Sequence, residues 1–274
     1  MRHPPVVLGI VGKPVAGRHS LAAGIVQWLG GEARVARLSF SDYRKYDQNE
    51  GLKQALTEAH PGAVRLDMVE QHLSLLKRGE AVLRPTYNRQ RGVFEPAAYL
   101  EPRPFVIIDG ELGFFSQGLR NNMDLRVFYG SDAPVAEWPG TLAGDAEAYL
   151  ESQRKWADLV MESLTPAGGV ALTLRPTLPR LALQELIQGV GEQQRGMRLE
   201  LARDMGLPVD RIVIDAGISS KAAAHYKKRL QAEIPGEYRQ GNGGESGPGR
   251  QSQSESLVLT QLLVVLHLLK IAGG

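Results

Sequence analysis

The chain has 274 residues, with 32 Lys and Arg against 30 Asp and Glu, and 43% of it is hydrophobic. That length permits one large domain or two small ones with a sizeable core, and the near balance of charge gives no bulk argument for nucleic acid. No cysteine is present, which excludes disulfides, thiolate metal sites, cysteine nucleophiles and thiol redox control.

In chain order, VVLGIV at 6–11 is a short apolar run rich in β-branched residues, as in a buried parallel strand. It leads into Gly12-Lys13-Pro14-Val15-Ala16-Gly17-Arg18-His19-Ser20, and SLAAGIVQWL at 20–29 then has helical spacing. ARVARLSF at 33–40 predicts a second strand. LDMVEQHLSLLKRG at 66–79 predicts a helix with Leu66, Val69, Leu73 and Leu76 on one face and Gly79 as its stop. A strand-and-loop segment follows at 81–96 with a turn near Gly92. PFVIIDG at 104–110 and DLRVFYG at 124–130 predict further strands. DAEAYLESQRKWADLVMES at 145–163 reads as one amphipathic helix and GGVALTL at 168–174 as a strand.

Beyond Pro176 the pattern changes. A helix is expected at 178–193. RLELARDM and RIVIDAGI alternate with period two around Gly206-Leu207-Pro208, which reads as a hairpin, and SKAAAHYKKRLQAEI at 220–234 is a helix. The strand-like alternation argues against a helix-turn-helix here, so a DNA-binding role rests only on the basic helix near 219–230. Residues 236–256 are Gly/Ser/Gln-rich and expected to be mobile. LVLTQLLVVLHLL at 257–269 is shorter than the ~20 residues of a membrane span, and it carries Gln261 and His267. It predicts a helix buried in the core or at a subunit interface. The expected divisions are therefore 1–176, 177–235, 236–256 and 257–274. The class is α/β, a mostly parallel sheet flanked by helices with a hairpin-helix extension.

The stretch at 12–20 has the frame of a phosphate-binding loop, G-x-x-x-x-G-K-[ST], in which backbone N–H groups cradle phosphates, Lys reaches the β/γ-phosphates and the hydroxyl binds Mg²⁺. Both glycines, Gly12 and Gly17, are correctly spaced. Arg18 stands where Lys belongs and His19 where Ser or Thr belongs. Arg keeps the charge but not the compact point geometry of Lys, and neutral imidazole is a poor ligand for a hard cation. Ser20 is one residue on, turned by roughly 100° along a helix. Lys13 lies inside the loop and is a candidate for a relocated cation. The six histidines show no metal-ligand spacing.

VVLGIVGKPVAGR, LSFSDYRKYD, LDMVEQHLSLLKRGEAVLRPTYN, PFVIIDGE and AYLESQRKWADLVMES, in that order, resemble the phosphoribulokinase and uridine kinase family, and most of all phosphoribulokinases of the plant, cyanobacterial and archaeal type. The resemblance implies a P-loop kinase-type fold, ATP and Mg²⁺ as cofactors if the site works, and transfer of the ATP γ-phosphoryl to ribulose 5-phosphate. That chemistry is mostly positioning and charge neutralisation. Compared with the family pattern, Ser41 takes the place of the acid that accepts the substrate proton. Asp42 beside it would point to the other face of an extended strand end. Arg44 and Arg89 replace histidines, Gln48 replaces an arginine, and Tyr87 and Asn88 match. Asp109 stands for the usual Glu at the end of the central strand. The lid helix with its arginine has no room in 131–150, which holds no arginine.

The candidate catalytic residues are thus Asp42 and Asp109. Gly12, Lys13, Gly17, Arg18, His19 and Ser20 would hold the cofactor, and Arg44, Tyr87 and Arg89 the substrate, with no metal set assigned. The bland readings are a solvated acid for Asp109, an ordinary basic surface for the arginines and a half-buried aromatic for Tyr87. The favoured function is a family homologue with little or no kinase activity that binds a nucleotide, sugar phosphate or other anion, or a protein partner such as an active kinase paralogue. The alternative is an active phosphoribulokinase, or a related sugar or nucleoside kinase, with a rewired site. The resemblance implies a homodimer; the cytoplasm is expected, and neither a membrane nor nucleic acid.

Overall fold

A computed structural model describes residues 4–13, 16–50, 56–57, 59–130, 144–164, 169–179, 181–187, 196–238 and 254–273. The chain divides into two compact units. The first takes residues 1–18, 32–129 and 133–157, and the second 19–31, 130–132 and 158–274.

In the first unit four strands form a parallel sheet in the order β2-β5-β1-β6: β1 Val6–Gly12, β2 Val35–Ser39, β5 Phe105–Gly110 and β6 Leu125–Tyr129. The six residues of β5 are all buried, and β1 is buried from Val7 onward. Continuous apolar runs are what a parallel sheet covered on both faces requires. Strand β1 pairs with β5 in the register Ile10↔Asp109 and Val11↔Gly110, so the end of β5 lies beside the start of the glycine loop. Helix α1, Ala16–Trp28, begins four residues before the apolar spacing predicts. Its first turn is the loop itself, where Gly17 and Arg18 carry no apolar signal. Helix α2, Leu66–Lys77, buries Val69, Leu73 and Leu76 as their spacing requires, and Gly79 follows with φ +80°. A separate hairpin pairs β3 Val82–Asn88 with β4 Val93–Leu100. Gly92, at φ +69°, makes the turn that the sequence placed near it. Helix α3, Gln117–Asn121, is one short turn capped by the Ser116 hydroxyl.

The segment 145–163 is not one helix. It has a π turn at Ala146–Leu150 and a 3₁₀ turn at Glu151–Trp156, then extends into β7, Leu159–Ser163. Leu159, Val160 and Met161 are buried in succession. A strand covered on both faces needs such a run, whereas a surface helix does not.

In the second unit, four strands run antiparallel in the order β7-β8-β10-β9, with β8 Val170–Leu174, β9 Met197–Asp204 and β10 Leu207–Ile214. The expected hairpin is there, with Met205 and Gly206 both at positive φ as a two-residue turn demands. Strand β10 lies along β8, which makes the hairpin part of the sheet. Of the helix expected at 178–193, α4 covers Leu183–Ile187, and residues 188–193 lie outside the described ones. Helix α5, Ser220–Glu233, packs on α6, Glu255–Ala272. Helix α6 is buried at 256 and from 259 to 269, including Thr260, Gln261 and His267. Its length and apolar character would let it cross a membrane, but most of it is covered by protein. Most of the expected mobile segment and the expected lid region lie outside the described residues.

Candidate functional site

Both glycines of the loop lie against Tyr129. A Cβ at Gly12 would overlap the Tyr129 carbonyl, and one at Gly17 would overlap the Tyr129 hydroxyl. The glycine spacing thus admits Tyr129, which follows from β6 lying next to β1 in the register Gly12↔Tyr129. Lys13 is buried at 3% exposure. His19 and Ser20 are half-buried on α1, and the Ser20 carbonyl accepts a hydrogen bond from Gln261 Nε2 at 3.1 Å.

Arg18 is wholly buried. Its Nη1 donates to the Gly12 carbonyl, and its Nη2 lies 2.9 Å from Oε1 of Glu111, itself 2% exposed. That contact is an ion pair without hydrogen-bond alignment: Arg18 Nε and Nη2 and Glu111 Oε1 are buried with no hydrogen-bond partner among the described residues. Asp109 is among the residues expected from the sequence, and Glu111 is not. The signal was present, since residues two apart on an extended end share a face.

Asp109 is fully buried, not solvated, and its Oδ1 lies 3.4 Å from Arg37 Nη2 of β2. Asp42 does not sit on an extended strand end. It lies in a 3₁₀ turn, Phe40–Tyr43, that turns its carboxylate to β3. There Oδ1 accepts from the Tyr87 N–H at 3.1 Å and Oδ2 pairs with Arg84 at 3.2 Å. Burial raises the Asp42 pKa. The Tyr87 N–H and Arg84 oppose the rise, and the charge of Asp109 adds to it. The Ser41 and Ser39 hydroxyls meet at 2.9 Å. The half-buried Arg44 stacks 4.9 Å from the centre of the Tyr87 ring, and burial lowers its pKa. Tyr87 is buried and meets Phe94 edge-on. Arg89 is exposed, and Asn88 ties the β3–β4 turn by accepting from the N–H groups of Gln90 and Arg91.

The structure therefore brings the candidates into two neighbouring groups in the first unit. One holds Gly12, Gly17 and Arg18 with Glu111 and Tyr129. The other holds Asp42, Arg44 and Tyr87 with Arg84. Arg84 stands in the RPTYN block, but its partner could not be read without the hairpin register.

The start of α1, with its outward N–H groups, suits a phosphate. The set for Mg²⁺ does not fit this arrangement: His19 holds the hydroxyl position, and Asp109 and Glu111 each face an arginine. Among the described residues no cluster of three or more His, Cys, Asp or Glu could hold a metal.

Similarity to known proteins covers the same region. The sequence model of the Phosphoribulokinase / Uridine kinase family matches residues 7–147. A uridine kinase of Chloroflexus aggregans is 32% identical over 193 residues, covering 62% of this chain and 90% of that protein. A phosphoribulokinase of Synechocystis sp. is 24% identical over 179 residues, covering 58% of this chain and 54% of that protein. Among solved structures, phosphoribulokinase from Rhodobacter spheroides superposes with a TM-score of 0.59 over 83% of this chain and 99% of its own, at 11% identity, a likeness of fold alone. The chain belongs to the phosphoribulokinase / uridine kinase family.

Proposed function

We propose that this member of a family of ATP-dependent kinases keeps the anion-binding frame of the fold and has little or no phosphoryl-transfer activity. It acts as a nucleotide- or anion-binding or regulatory homologue, with an active kinase paralogue as a fitting partner, and as a cytoplasmic homodimer. The observation that carries this reading is the direction of Arg18. The loop's cation is turned inward to Glu111 and the Gly12 carbonyl, where it offers no compact charge to a γ-phosphoryl group. The engagement of both Asp42 oxygens supports the same reading, because a general base needs an oxygen within reach of the substrate proton.

The test is ADP production by concentrated purified protein with MgATP and either ribulose 5-phosphate or uridine, beside a Gly17→Trp control. No turnover above that control is the expected result. Turnover that the substitution abolishes would sink the reading and make the protein a working sugar or nucleoside kinase with a rewired site. Light scattering on the same preparation tests the dimer.

A further inference from the structure

We propose that Glu111 is an internal latch on the loop: its carboxylate occupies Arg18 as a built-in anion, and an oxyanion such as a phosphate group binds only by displacing it. This rests on the reading of the loop as an anion site.

The two side chains are 0% and 3% exposed, so the pair is screened from water. A buried guanidinium is costly without a counter-charge, and among the described residues Glu111 supplies it by ion pairing. The pairing is incomplete. Nη1 is used by the Gly12 carbonyl, while Nε and Nη2 lie buried without an aligned acceptor. Glu111 Oε1 is equally unsatisfied. A guanidinium presents a planar fork that carboxylate and phosphate oxygens both match, with phosphate carrying more charge and more acceptors. The N–H groups that open α1 would add donors to an incoming phosphate. Glu111 follows directly on β5, whose last pair with β1 is Val11↔Gly110, so the sheet brings Glu111 to the start of the loop. A lysine at position 18 would offer no such fork to a carboxylate. The arginine that weakens the loop for kinase chemistry is also what lets Glu111 hold it.

Calorimetry with sodium pyrophosphate, free of magnesium and of any phosphoryl acceptor, tests this on four proteins: native, Glu111→Gln, Arg18→Met, and Arg18→Met/Glu111→Leu. Glu111→Gln keeps the side-chain shape and removes the competing charge. Its affinity for pyrophosphate should exceed the native value by about tenfold or more, the equivalent of one lost competing contact. Arg18→Met should not bind. The double variant should melt near the native temperature, since an apolar pair replaces the ion pair, and should not bind either. Equal affinity of the native protein and Glu111→Gln, or binding by the double variant, overturns the latch. Should Glu111→Gln unfold in buffer, recovery of its melting transition in millimolar pyrophosphate supports the latch, and failure to recover counts against it. ADP production is read separately. Turnover by the native protein would remove the non-catalytic reading and leave the pyrophosphate result standing.

Discussion

The Tyr129 hydroxyl fills the space that a side chain at Gly17 would need, so loop and strand end fit together through an absent Cβ. Gly17→Ala should therefore destabilise the protein by about 1–3 kcal/mol, the usual penalty of overpacking a closed site. Combining it with Tyr129→Ala should recover most of the loss on that contact. Urea midpoints of the two single variants and the double variant check this. Additive losses would mean that Gly17 is required for another reason.

Gly24 and Gln261 make the same kind of fit in the second unit. A Cβ at Gly24 would strike the Gln261 side-chain amide, which is buried in α6 and donates to the Ser20 carbonyl. In an exposed helix, replacing Gly by Ala adds up to about 1 kcal/mol of stability. Here the contact reverses the sign, and Gly24→Ala should lower stability by about 1–3 kcal/mol. Gln261→Ala in the same chain should restore the helix-propensity gain. Thermal melts decide it: a stabilising Gly24→Ala alone would show that Gln261 does not sit against α1.

Much of this architecture could be read from local chemistry. The buried strands β1 and β5, helix α2 with its Gly79 stop and the 205–206 hairpin turn each announce themselves within a few residues. The candidate site was legible only in part, because its decisive contacts join distant positions. Arg18 was visible as an odd residue in the loop, but its direction depends on Glu111, 93 positions later, which only the β1–β5 register brings near. Asp42 was misplaced because a 3₁₀ turn replaces the expected strand end, and nothing in Ser41-Asp42-Tyr43 distinguishes the two. At β7 the apolar residues Leu159, Val160 and Met161 fit a helix as well as a buried strand, and the tertiary cover settled it.

His267 gives the protein a specific acid sensitivity. Burial in α6 lowers its pKa from 6.5 to about 4, with the Pro179 backbone acting the other way. The unfolded chain then binds a proton between those values that the folded chain does not, so stability falls as pH is lowered through this window. The full difference is worth about 3 kcal/mol, and about 2 kcal/mol of it is lost between pH 6.5 and 4.5. Asp42 works in the opposite sense. Its folded pKa lies above 3.8, so its contribution is present below that value and is lost as pH rises through the folded pKa. His267→Leu should flatten the acid-side loss of stability by about 2 kcal/mol, and Asp42→Asn should make it steeper. Urea unfolding of the three proteins at pH 6.5 and 4.5 measures both slopes. An unchanged slope in His267→Leu would mean that this imidazole is protonated inside α6, which its burial opposes.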